Sequence, residues 1–90
     1  MTPDDQRKFR WSQLLASRME TEPACRRHGV DHRDFTWWIF EPGIVGDEWQ
    51  IDFFNPATKW TRMVSGESLS AAIDALMSEI HDALATKEHP

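Results

Sequence analysis

Apolar residues recur along the chain at two different periods, and the change of period marks the elements. Trp11, Leu14, Leu15 and Met19 fall at helical spacing. Ahead of them, Thr2-Pro3-Asp4-Asp5 carries the marks of a helix start. Thr2 supplies a capping hydroxyl, Pro3 suits the first helical position, and the two acids suit the positive helix end. The spacing predicts a helix over 3–20, with Phe9 off its stripe as a second contact or an exposed anchor. Thr21-Glu22-Pro23 repeats the start signal, so a short helical turn is expected from Pro23 to Arg27 or His28, stopped by Gly29. Residues 29–34 read as loop.

From residue 35 the period shortens. Aromatic and β-branched types dominate 35–41 and predict a first strand, ended by Pro42-Gly43. Gly46-Asp47 closes a hairpin connection, and 48–54 form the second strand. Asn55-Pro56 marks a turn, and 58–64 form a third strand that stops at Ser65-Gly66. The helical period then returns. Ser68 is placed to cap, and Leu69, Ile73, Leu76, Met77, Ile80 and Leu84 lie on one face of a long helix. Its other side carries Asp74, Ser78 and Asp82, with Glu79 on the flank. The tail 86–90 is expected to fray. The fold class is therefore α+β in one domain, residues 1–90. It consists of an N-terminal helix, a three-stranded antiparallel meander and a long C-terminal amphipathic helix packed on one sheet face.

Alternation sorts the strand residues onto two faces. Trp37, Ile39, Trp49, Ile51 and Phe53 are assigned to the core beneath the last helix. That leaves Trp38, Phe40 and Phe54 on the second face, beside Glu48, Gln50 and Asp52. Large aromatics on an otherwise polar face ask for a cover. Either the segment 21–34 folds back over them, or the face meets a partner protein or a second copy of the chain.

Ninety residues at 40% hydrophobic content suit a single thin core. A chain of this length buries only about 60–65% of its unfolded surface. The longest run of large apolar side chains, Trp37-Trp38-Ile39-Phe40, is too short to cross a bilayer. The N-terminus is acidic and lacks a signal-peptide apolar region, so a cytoplasmic, membrane-free protein is expected. Charge divides unevenly: residues 1–34 sum to +1 and residues 35–90 to −6, within a total of −5. An acidic surface repels phosphate and attracts basic protein surfaces, and it also keeps a small domain in solution.

Candidate chemistry is sparse. Cys25, His28 and His32 have the spacing C-x2-H-x3-H, a zinc half-site with Asp31 and Asp34 nearby, but no second Cys/His pair follows. Cys25 beside Arg26, Arg27 and His28 has a thiolate-favouring sequence context, without any pattern for an oxyanion hole. Isolated glycines exclude a phosphate loop. The pairs Asp4-Asp5 and Asp47-Glu48 fit a helix start and a hairpin better than acid–base work. No cofactor is expected, and the chain reads as a non-enzyme. Arg26, Arg27 and Arg33 form a basic cluster able to touch phosphates.

The element order resembles that of double-stranded-RNA-binding domains across most of the chain. In that family, lysines at the start of the last helix contact phosphates. Here the stretch is Gly66-Glu67-Ser68-Leu69-Ser70-Ala71, with an acid and no lysine, so the resemblance implies the fold without the activity. Residues 35–85 are also similar to antitoxin modules of the partial RNase-H type, through Gly66-Glu67-Ser68-Leu69 followed by Ala72. The function expected is that of a small acidic protein-binding domain that occludes its partner, as inhibitors, immunity proteins and phage anti-defence proteins do. Trp38, Phe40, Phe54, Asp52 and Glu48 would make the contact. An acidic helix face of Asp74, Glu79 and Asp82 could imitate a phosphate track. The rival expectation is a nucleic-acid- or metal-binding regulator working through residues 25–33.

Overall fold

A computed structural model of the chain describes residues 2–87, with side chains for 2–85. Thr2 opens helix α1 (Pro3–Thr21), its Oγ1 accepting the Asp5 N–H at 3.1 Å. Glu22 ends α1 and starts the short helix α2 (Pro23–Arg27), which stops at Gly29 with φ 66. The left-handed conformation is one that glycine adopts without steric cost. The stretch expected as plain loop holds a 3-10 turn over His32–Asp34. A reciprocal cap closes it: Asp31 Oδ1 accepts the Arg33 N–H and Asp34 Oδ2 accepts the Asp31 N–H, each at 2.9 Å.

Strands β1 (Thr36–Phe40), β2 (Trp49–Phe54) and β3 (Thr61–Gly66) follow, then helix α3 (Leu69–Lys87). The sheet is antiparallel in the order β1-β2-β3, as the short connections predict. Ser68 caps α3, its Oγ accepting the Ala71 N–H at 3.0 Å. Of the tail 86–90 expected to fray, 86 and 87 end α3, and 88–90 lie outside the described residues.

The third strand starts later than the sequence suggests. Asn55 Oδ1 accepts the N–H groups of Ala57 and Thr58 at 2.9 and 3.2 Å, and Lys59 turns the chain at φ 65. The turn therefore runs through Lys59, and pairing begins at Phe54 opposite Thr61. The strand also runs further, to Gly66 opposite Trp49. Gly66 acts as a close-approach residue more than a breaker, because α3 begins against its backbone.

Helices α1 and α3 pack on one face of the sheet, and α2 packs against both of them. Leu15 and Met19 of α1, Ala24 and Cys25 of α2, Ile51, Phe53 and Val64 of the sheet, and the α3 stripe from Ala72 to Leu84 make one core. Two expectations need correction. Leu14 is 54% exposed. The inward stripe of α1 runs through Trp11, Ser12, Leu15 and Met19, and Leu14 stands about 100° from Leu15. The core strand residues are also shared between helices. Ile51 and Phe53 are fully buried, whereas Trp37, Ile39 and Trp49 are half-buried. α3 packs on β2 and β3, while α1 meets β1. Trp11 of α1 stands edge-on to Trp49 at 5.0 Å, and Ser12 Oγ accepts the Trp37 indole N–H at 3.2 Å.

β1 ends the sheet, and its sequence Thr-Trp-Trp-Ile-Phe carries no charge and no proline along that edge. A recess of about 570 Å³ is lined by residues of both β1 faces and by Lys8 and Trp11, which places it along the unpaired edge. Among the described residues, no helix is long and apolar enough to cross a membrane.

Candidate partner-binding face

Segment 21–34 does not cover the second sheet face. Its helix α2 packs against α1 and α3 on the core side, with Ala24 and Cys25 fully buried there. Among the described residues no helix packs on the second face; Trp38, Phe54 and Met63 stand exposed there, while Phe40, Gln50 and Asp52 are half-buried.

The strand register fixes their arrangement in three rows. Thr36, Phe54 and Thr61 form one, Trp38, Asp52 and Met63 the next, and Phe40, Gln50 and Ser65 the third. Trp38 and Met63 are each 67% exposed, Phe54 is exposed at its margin, and Phe40 is half-buried. The carboxylate of Asp52 accepts the Gln50 amide N–H at 2.9 Å. Glu48 is exposed just before β2. The structure therefore brings Trp38, Phe40, Phe54 and Asp52 onto one surface. Met63 belongs with them and was not singled out from the sequence, although it alternates with the buried Val64. Ile44 and Val45, exposed in the β1–β2 connection, were also missed; an apolar pair inside a loop has no period to reveal it.

The acidic residues of α3 are not part of this surface. They lie on the outer side of a helix whose inner side meets the opposite sheet face. Asp74 binds Arg18 of α1 at 2.6 Å, and Glu79 binds Arg62 of β3 at 3.4 Å, so both of these acids, expected to imitate phosphates, already hold cations. Asp82 is exposed.

Residues 25–33 are similarly committed. Arg33 grips Asp31 through two contacts, Nε to Oδ1 at 3.3 Å and Nη2 to Oδ2 at 3.0 Å. The hydrogen bonds from Arg33 hold the Asp31 carboxyl down at about 2. Arg26 and Arg27 are exposed. Cys25 is 0% exposed, and burial pushes its thiol up, with the Glu22 charge adding to the shift. A raised thiol disfavours the thiolate that the flanking arginines suggested. His32 faces Glu20 at 3.4 Å and Asp31 at 3.7 Å. Among the described residues, no three His, Cys, Asp or Glu side chains converge in a metal-binding arrangement.

A smaller recess of about 290 Å³ lies between Val30, Phe35, Trp60, Ile80 and Leu84, with Lys59 at its rim. The indole nitrogen of Trp60 is buried beside it without a hydrogen-bond partner. The chain matches no protein-family model, no curated protein and no solved structure.

Proposed function

We propose that this chain is a small non-enzymatic protein-binding domain that docks, and thereby occludes, a partner on the open face of its sheet. The observation that supports the reading is Trp38, 67% exposed at the middle of β1 and flanked on the same face by Met63, Phe54 and Phe40. Apolar aromatic centres with a polar surround characterise protein interfaces, and tryptophan is the residue type most enriched among their energetic anchors. Glu48, Gln50 and Asp52 supply the polar part. The proposal extends to a cytoplasmic location, with which the single free thiol, Cys25, accords.

Affinity capture tests it. Wild-type protein, Trp38→Ala and Phe9→Ala are used in parallel on lysate of the source cell, with quantitative mass spectrometry and a thermal melt of each. Phe9 is an exposed aromatic on the outer side of α1 and serves as the control. The expected result is a protein retained by wild type and by Phe9→Ala, lost with Trp38→Ala, at unchanged melting temperature. Equal capture by all three, or a collapse of the Trp38→Ala melt, removes the face from the argument.

A further inference from the structure

Asp52 is an uncompensated charge in an apolar row. Trp38 and Met63 are its direct partners in register on either side, and side chains so placed stand about 5 Å apart at Cβ. The other strand residues of this face are Thr36, Phe40, Gln50, Phe54, Thr61 and Ser65, and none is a base. Elsewhere Asp31, Asp74 and Glu79 each hold an arginine within 3.4 Å. Among the described residues Asp52 holds only the Gln50 amide, which occupies one of about four acceptor positions of a carboxylate.

We propose that the row Trp38–Asp52–Met63 is a subsite for one arginine or lysine set in an apolar stretch of a partner protein. This rests on the reading of the open sheet face as a docking surface. A purely apolar partner would strip water from the Asp52 carboxylate and return nothing. A cation in that position meets the carboxylate directly while its stem lies on Met63 and its charged head over the Trp38 indole. Arginine fits best, because a flat guanidinium binds a carboxylate with two parallel hydrogen bonds and stacks on an aromatic ring. A second copy of the chain is the poorer occupant. No strand residue of this face is a base, so the same face of a second copy has no cation to offer Asp52.

The test uses the full chain and a displayed library of random peptides. Selected peptides are synthesised and titrated against wild type, Asp52→Asn, Trp38→Ala and Asp74→Asn, with a melt of each variant. The expected peptides carry Arg or Lys between apolar residues. They bind Asp52→Asn at least about tenfold more weakly and Asp74→Asn as wild type does, because one bidentate charged pair in a part-buried setting is worth about a factor of ten or more. Peptides lost with Trp38→Ala that carry no base, or that carry one but ignore Asp52→Asn, overturn the subsite and leave the docking face standing. No enrichment, or peptides that ignore both substitutions, overturns the subsite and the docking face together.

Discussion

Gly66 and Ala72 approach so closely that a Cβ on Gly66 would stand 2.5 Å from the Ala72 backbone nitrogen. The atoms in the way are backbone at the first turn of α3 and the Ala71 Cβ, which has no rotamer to change, so no side-chain rotation relieves the clash. Gly66→Ala is expected to cost about 1–3 kcal/mol, through displacement of α3 from the end of β3. Gly29→Ala gives a contrast. A Cβ there meets nothing within 4 Å, but φ is +66. Its cost is about 1–2 kcal/mol and purely conformational. Urea midpoints check both. Asn tolerates left-handed backbone, so Gly29→Asn should recover part of the loss while Gly66→Asn recovers none.

Ile80 and Leu14 test which helical faces hold the domain together. Ile80 is 2% exposed in the α3 stripe, and Ile80→Ala should lose about 2–5 kcal/mol. Leu14→Ala, on the outer side of α1, should change stability by less than about 0.5 kcal/mol. Chemical denaturation of the two variants side by side gives the answer, and equal losses would place Leu14 in the core.

The Asp31–Arg33 pair that closes the 3-10 turn should weaken only in strong acid. The Asp31 carboxyl is lowered from 3.8 to about 2 by its hydrogen bonds to Arg33. A depressed folded value means that the pair's contribution is fully present above 3.8 and disappears as pH falls through about 2. Asp31→Asn should therefore lower the urea midpoint near neutrality, and the gap to wild type should close across that window. The pair is solvent-exposed, so added salt should also narrow the gap.

Cys25 should behave as a core side chain. Its 0% exposure and raised thiol predict alkylation by iodoacetamide only as fast as the chain opens, with full reaction in denaturant. A chelator should leave the melting temperature where it was. Rapid labelling of the native protein, or unfolding on chelation, would bring the sulfur out of the core and return weight to residues 25–33.

Signals carried by neighbours in sequence were legible. The α3 stripe, the Ser68 and Thr2 caps, and the alternation that separates Trp38 from Ile39 all follow from short-range geometry, and together they yield the fold class. What the sequence hides depends on residues far apart in the chain. Arg18 finds Asp74, and Arg62 finds Glu79, only after α1 and β3 have docked on α3. No local pattern marks those acids as paired. Which helix covers which strand is of the same kind: Trp37 and Trp49 look suited to α3, yet α1 reaches them first. The candidate face was half visible. Its aromatics stand out of phase in β1 and β2, whereas Met63 enters only once the β2–β3 register is known, and the absence of a lid depends on where α2 packs.

The bare edge of β1 has a consequence for the chain at high concentration. In this strand without charge or proline, the alternate residues whose N–H and C=O groups face away from β2 leave them for another chain's strand to complete, a route to precipitation of folded domains. What keeps two such edges apart is long-range: at −5, every molecule repels every other before their edges meet. The acidic excess then acts as a colloidal guard over a strand that carries no guard of its own. Dispersion should be lost as the medium approaches pH 5.2, where that repulsion vanishes, and a lysine placed at Thr36 should restore it.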